Sequence, residues 1–178
     1  MYERIAEAIA MGGALLLLAA GAGHLRRLGH LTAVLAAQRL VPLWSRRPLA
    51  AIVAVTEIGA GAMAVAGWLV PYWPLMILMA AVYAAFGVYT TVLRVRRPGA
   101  PCGCFDGGSV VSWGVVARAW VFCAAAIVVA PGLDAGVAAA DRFVVGCAAI
   151  LVALITWLAP QLAGVAGPAR AGTGGRRG

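Results

Sequence analysis

The segment Cys102-Gly103-Cys104 is the part of the sequence whose residue types and spacing most clearly allow chemistry. The glycine between the cysteines gives the backbone enough freedom for the two sulfur atoms to approach each other. A disulfide between them would enclose three residues, so its chain-entropy stabilisation is only about 1.6 kcal/mol. Distorted disulfide geometry costs several kcal/mol, which makes such a bond easy to reduce. The motif therefore predicts a redox-active dithiol, with Cys102 and Cys104 as the reacting groups.

The charges around this motif act in opposite directions. Arg94, Arg96 and Arg97 precede it and favour the thiolate form, whereas Asp106 follows it and opposes that form. Zinc sites use four ligands, and the chain has only two histidines and four cysteines. The motif is therefore not interpreted as a metal site. The alternative that stays open is a pair of structural cysteines in a tight, glycine-rich turn.

Two charged residues fall inside long apolar segments, Glu57 in the second and Arg118 in the fourth. A charge at membrane depth costs at least about 2.5 kcal/mol, so each marks a candidate site. Counted from the same side, both lie about 12 Å deep at the rise of a helix. We therefore predict a direct ion pair between them. The pair either fixes helix packing or forms a polar site that binds a substrate headgroup or a quinone, or relays protons.

Two further residues are assigned to this predicted pocket. His24 ends the first apolar segment on the side of the cysteines, and Trp113 begins the fourth. An interfacial role is the alternative for both, because histidine and tryptophan are common at membrane surfaces. Cys123 and Cys147 lie within apolar segments and are interpreted as packing residues. A second redox pair is the less favoured alternative for them.

The composition excludes a soluble globular domain. The chain has 178 residues, of which 63% are hydrophobic and 11% charged, and its mean hydropathy is +0.95. Soluble domains carry about a quarter charged residues. The net charge of +8 would suggest a nucleic-acid partner in a soluble protein, but here a membrane protein without nucleic acid is predicted. The positive charges instead indicate which side of the membrane each loop faces.

A spanning helix needs about 20 mostly apolar residues, and the sequence predicts an all-α bundle of five spans within a single domain, residues 1–163. The first is weaker, since Glu7 and Gly12-Gly13 interrupt it, and a cleaved signal peptide is its alternative. A short interfacial helix is expected before Pro42, and a disordered basic tail over 164–178. The predicted spans cover residues 8–23, 49–70, 74–93, 110–130 and 143–163.

The arginines predict the orientation of these spans. With five spans, the first loop, the third loop and the C-terminus share one side and together carry eleven arginines, whereas the opposite side carries only Arg4 and Arg142. The positive-inside rule then places the N-terminus outside and the Cys-Gly-Cys loop in the cytoplasm of a bacterial inner membrane.

In combination, several of these residues resemble the methylamine utilisation protein MauE family, which is related to the DoxX-like membrane proteins. The resemblance covers about residues 8 to 130. It differs from the usual family pattern at Asp106, where relatives have glycine, and at His24, where lysine is frequent. The residues that carry it are Gly23-His24-Leu25, the run Gln38-Arg39-Leu40-Val41-Pro42, Glu57, Cys102-Gly103-Cys104-Phe105, Trp113 and Arg118.

The resemblance implies a DoxX-like four-helix core and a role in the maturation of periplasmic redox enzymes. In the founding family this role is processing, transport or disulfide formation of the methylamine dehydrogenase small subunit. Disulfide formation on exported proteins implies an outward-facing dithiol, whereas the arginine count predicts an inward-facing one. A cytoplasmic dithiol would instead carry reducing equivalents from a cytoplasmic donor into the membrane.

The sequence thus predicts a membrane thiol–disulfide protein that supports maturation of a client redox-enzyme subunit. A thioredoxin-like protein or a quinone would complete the electron path. Two alternatives stay open: a non-catalytic assembly factor or chaperone for the client, and a small-solute transporter that uses Glu57 and Arg118.

Overall fold

The computed structural model describes residues 2–103, 110–132 and 139–166. These residues form helices and short connections, with no strand longer than an isolated bridge between Pro101 and Val110. The all-α prediction is confirmed. The helices are α1 (Tyr2–Arg26), α2 (Leu28–Gln38), α3 (Arg46–Leu69), α4 (Pro74–Arg96), α5 (Trp113–Val129) and α6 (Ala139–Ala166), with 3-10 turns at Leu43–Ser45 and Ala130–Gly132.

Five of the described helices are long and apolar enough to cross a membrane, as predicted. The remaining helix, α2, is the short helix expected before Pro42, and it ends at Gln38. Helix α6 continues to Ala166, whereas residues 167–178, most of the predicted tail, lie outside the described residues.

Helix α1 differs most from its predicted bounds, because it begins at Tyr2 rather than at residue 8. Glu7 does not interrupt the helix, since both of its carboxylate oxygens have partners inside the bundle. Trp68 Nε1 donates a hydrogen bond to one oxygen, and Arg4 lies 3.0 Å from the other. Arg4 also lies 3.1 Å from Asp141. This cluster joins the beginnings of α1 and α6 to the end of α3.

The core is built around α1, which packs against α3, α5 and α6. Its small residues allow close approach of the neighbouring helices. Phe122 of α5 and Tyr83 of α4 pack over Gly13, and the Tyr83 hydroxyl donates a hydrogen bond of 2.7 Å to the Gly13 carbonyl. Tyr83 therefore contributes to the packing of α4 against α1.

The contact between α1 and α3 depends on Gly61, because a Cβ atom there would lie 2.7 Å from the Ala14 carbonyl oxygen. We expect Gly61→Ala to lower the stability of the protein in detergent by about 1–3 kcal/mol, the usual cost of overpacking. Gly59→Ala is the matched control, since nothing lies within 4 Å of a Cβ at that position. Thermal unfolding followed by size-exclusion chromatography measures both; equal melting temperatures for the two variants would contradict this packing.

The bundle has two chemically different ends. The cluster of Arg4, Glu7 and Asp141 marks one end, together with Arg142, which donates a hydrogen bond of 3.0 Å to the Leu69 carbonyl. The other end carries α2, the turn at Leu43–Ser45 and the segment that follows α4. It also carries most of the described arginines, namely Arg26, Arg27, Arg39, Arg46, Arg47, Arg94, Arg96 and Arg97.

Candidate functional site

The cysteine-bearing loop sits at the arginine-rich end, between α4 and α5. Its two ends meet, because Pro101 and Val110 form an antiparallel bridge and the Val111 N–H donates a hydrogen bond of 2.9 Å to the Ala100 carbonyl. Cys104 and Asp106 lie outside the described residues. These paired residues at the base of the loop, Ala100, Pro101, Val110 and Val111, form the loop neck. The loop neck fixes where the loop leaves the bundle and where it returns.

Cys102 is buried rather than displayed on the loop surface. It is 9% exposed and belongs to an apolar cluster with Leu93, Ala100 and Val111. Leu40 and Tyr89 also pack against this cluster. The first cysteine of the motif is therefore shielded from solvent by residues of α4, of the loop neck and of the segment after α2.

Gln38 fastens this loop to the bundle. Its side chain is only 2% exposed at the residue level and uses both ends of the amide: Nε2 donates a hydrogen bond of 2.8 Å to the Pro101 carbonyl, and Oε1 accepts one from the Tyr89 hydroxyl. Buried amides need such partners, because an unpaired buried polar group is costly. One side chain thus links α2, α4 and the residue directly before Cys102.

Sequence reasoning did not assign a site role to Gln38, although a signal was present. The buried positions of α2 follow a helical spacing, and Gln38 falls on the same face as Leu31 and Leu35. A polar residue in line with an apolar face indicates a buried polar contact.

Gly103 allows the loop to pack closely against α2. Its φ is +71°, in the left-handed region that costs other residues about 1–2 kcal/mol. A Cβ atom there would also lie 2.6 Å from Val34 Cγ1. Glycine is therefore needed both for the backbone conformation and for the space beneath α2.

We expect Gln38→Leu to loosen the loop, because it leaves the Tyr89 hydroxyl and the Pro101 carbonyl without their partner. Each unsatisfied buried group costs about 1–3 kcal/mol, so the fraction of molecules with an open loop rises. The rate of maleimide labelling of Cys102 in the reduced protein, with Cys104 replaced by serine, reports this opening. Tyr89→Phe, which removes only one of the two bonds, should fall between Gln38→Leu and the unmodified loop; unchanged rates in both would contradict the anchoring role.

A second group of predicted residues meets on α1 and α3. Glu57 is 8% exposed, and its Oε2 atom lies 3.7 Å from His24 Nε2. This distance exceeds a hydrogen bond, and the same Oε2 atom is buried with no hydrogen-bond partner. The structure therefore brings together two of the four residues assigned to the predicted pocket.

The expected ion pair between Glu57 and Arg118 is not among the ion pairs of the described residues, where the contact of Glu57 is with His24. The physical reason is lateral placement. Arg118 belongs to α5, which packs against α1 and α4, whereas α3 packs against α1, α2 and α4. Helices α3 and α5 are therefore not main packing partners, although Glu57 and Arg118 are predicted at equal depth.

Trp113 lies at the start of α5 with 58% of its surface exposed. The Arg94 guanidinium carbon lies 5.8 Å from the centroid of its ring, a cation–π geometry. This contact places a positive charge beside the neck of the cysteine-bearing loop. Cys123 and Cys147 form no disulfide; Cys123 is buried in the core and Cys147 is exposed on α6.

These features define a class: a polytopic membrane protein of five spanning helices that seats a cysteine-bearing loop on its arginine-rich end. The model of the methylamine utilisation protein MauE family matches residues 2–132. The chain therefore belongs to the MauE family. The match includes α1 to α5 and the cysteine-bearing loop, and α6 follows it. No curated protein and no solved structure matches the chain, so the DoxX-like character of the core stays a prediction.

Proposed function

We propose that the protein is a membrane thiol–disulfide oxidoreductase that serves the maturation of a redox-enzyme subunit in methylamine utilisation. The observation that carries this proposal is the way the Cys102 segment is held: Gln38 binds the preceding carbonyl, and Gly103 fits against Val34. A loop anchored immediately before and after Cys102 is suited to present one thiol in a defined position. Membership of the MauE family supports methylamine utilisation as the context.

In the proposed reaction a dithiol of a thioredoxin-like protein reduces the disulfide between Cys102 and Cys104. One thiolate of the donor attacks a sulfur of this disulfide and forms a mixed disulfide, which releases the other cysteine as a thiolate. The second donor thiolate then attacks the mixed disulfide. The donor leaves as a disulfide, and Cys102 and Cys104 hold two electrons as a dithiol.

The dithiol passes these electrons on by the same exchange to a disulfide of the client subunit, which meets the loop on the donor's side of the membrane before export. The client disulfide is reduced to two thiols, and the disulfide between Cys102 and Cys104 forms again. The arginines around the loop favour the thiolate that each exchange needs. A quinone is the alternative electron acceptor, and the polar groups of His24 and Glu57 fit hydrogen bonding to a quinone carbonyl oxygen.

Client maturation in cells tests this proposal. We expect Cys102→Ser and Cys104→Ser, alone or together, to abolish maturation, because neither single thiol can complete the exchange. The matched control replaces the other two cysteines, Cys123→Ser with Cys147→Ser, and should leave maturation intact. Full maturation with the Cys102→Ser, Cys104→Ser double variant would overturn the redox role and favour a non-catalytic assembly factor.

A further inference from the structure

A groove on the outer surface of the bundle, which we call the α3–α6 groove, separates α3 from α6. Its volume is about 520 Å³, a size typical of small-molecule sites. Helices α3 and α6 both pack against α1, but among the described residues they are not main packing partners of each other. The groove is lined at its bottom by Met11 of α1, on one wall by Val65 and Trp68 of α3, and on the other wall by Gly146 and Ile150 of α6.

Arg142 closes one end of the α3–α6 groove. From the start of α6 it reaches across to α3, where its Nη1 atom donates hydrogen bonds to the Trp68 and Leu69 carbonyls. In the ion pairs of the described residues, Glu7 and Asp141 both pair with Arg4 rather than with Arg142. The groove therefore has a fixed positive charge at its mouth, and an anion can bind to it.

The length of the groove matches one leaflet of a membrane. Ile150 lies eight residues after Arg142, which is about 12 Å along a helix, and the hydrocarbon core of one leaflet is about 15 Å thick. The side chains of Phe143 and Ile150 are exposed, so the groove is open towards the lipid. A phospholipid has a matching arrangement of groups, because its phosphate lies at the membrane surface and its acyl chains extend into the leaflet. A small soluble anion would leave the apolar walls unoccupied.

We infer that the α3–α6 groove binds one membrane phospholipid, with its phosphate on Arg142 and one acyl chain between α3 and α6. A charge-assisted hydrogen bond from the guanidinium fixes the phosphate, and the acyl chain fills the space between the two helices. Helix α6 follows the residues that the MauE family model matches, whereas α3 lies within them. The bound lipid thus joins α6 to the part of the bundle that the family shares. The site lies at the end opposite the cysteine-bearing loop and does not depend on the proposed redox function.

Native mass spectrometry of the full chain tests this site, with dioleoyl phosphatidylglycerol added in increasing amounts to the protein in detergent. We expect one phospholipid molecule to stay bound when the detergent is removed. Dioleoylglycerol has the same acyl chains without the phosphate. Because it cannot accept the charge-assisted hydrogen bond from Arg142, it should need a roughly tenfold higher concentration for the same occupancy.

Gly146→Leu should abolish binding, because its side chain fills the groove. A Cβ atom at Gly146 would lie 3.9 Å from Trp68 Cη2, an ordinary van der Waals contact, so the substitution introduces no backbone clash. Gly59→Leu is the matched control, since nothing lies within 4 Å of a Cβ at that position, and it should bind the phospholipid normally. Arg142→Gln keeps the test valid if Gly146→Leu fails to fold. It should weaken binding of phosphatidylglycerol roughly tenfold and leave binding of dioleoylglycerol unchanged.

The location of the bound lipid is measured at Cys147, which lines the groove. Phosphatidylglycerol should slow the reaction of this thiol with N-ethylmaleimide, and an unchanged rate would overturn the site. Equal retention of phosphatidylglycerol by Gly146→Leu and the unmodified chain would also overturn it, as would equal binding of phosphatidylglycerol and dioleoylglycerol. Retention of a quinone from native membranes in place of a phospholipid, lost in Gly146→Leu, would overturn the choice of ligand.

Discussion

A cysteine introduced at Trp44 should be protected from a membrane-impermeant maleimide in intact spheroplasts, whereas one introduced at Tyr72 should be labelled. Both side chains are exposed, Trp44 in the turn before α3 and Tyr72 in the turn after it. They lie at opposite ends of a spanning helix, and the arginines gather at the end of Trp44. The positive-inside rule therefore predicts that this end lies in the cytoplasm.

The experiment uses Trp44→Cys and Tyr72→Cys in a background in which the native cysteines are replaced by serine. The expected effect is all-or-none, and permeabilised membranes provide the control, since both sites should then be labelled. The reverse pattern in intact cells would place the cysteine-bearing loop outside. It would favour direct oxidation of exported clients over electron delivery from a cytoplasmic donor.

Gly103→Ala should open the cysteine-bearing loop far more than Gly99→Ala. Both glycines have positive φ, +71° and +88°, so both substitutions carry a backbone cost of about 1–2 kcal/mol. Only Gly103 also faces Val34, whose Cγ1 atom would lie 2.6 Å from the new Cβ, whereas nothing lies within 4 Å at Gly99. The reduced variants are compared by the rate at which Cys102 reacts with a thiol reagent.

The contribution of the side-chain clash can be isolated with a second substitution. Val34→Ala removes the Cγ1 atom. It should therefore lower the labelling rate of Cys102 in the Gly103→Ala variant to the rate found for Gly99→Ala. Each 1.4 kcal/mol recovered corresponds to about a tenfold lower rate of labelling when the loop opens and closes faster than the reagent reacts. Equal rates for Gly103→Ala and Gly99→Ala would show that Val34 does not press on the loop.

The spanning helices were predictable from the sequence because their signal is long and redundant. The bounds of α1 were not, and the reason lies in particular residues. Glu7 and the pair Gly12-Gly13 weaken the apolar pattern, but in the bundle Glu7 binds Arg4 and Trp68, while the glycines admit Val152 and Phe122. The residues that weaken the apolar pattern of α1 are therefore the same residues that allow α1 to pack at the centre of the bundle.

The roles of the candidate site residues stay predictions, and the contact between His24 and Glu57 was not among them. Counting residues along a helix gives depth, and depth alone matched Glu57 with Arg118. The contact of Glu57 is with His24 at 3.7 Å, and the main packing partners of α3 are α1, α2 and α4. Gln38 carries no site prediction from the sequence beyond its place in the family motif, since a glutamine in an apolar helix has no chemistry of its own. Its role becomes evident once Tyr89 and Pro101 are seen to converge on it.

The most direct test of this account is the redox state of Cys102 and Cys104 in native membranes. Acid quenching followed by a mass-tagged maleimide, in the Cys123→Ser, Cys147→Ser background, counts the thiols at these two positions. We expect two tags after treatment with a reduced thioredoxin-like donor and none after mild oxidation. The same number of tags under both conditions would contradict a thiol–disulfide cycle and with it the proposed function.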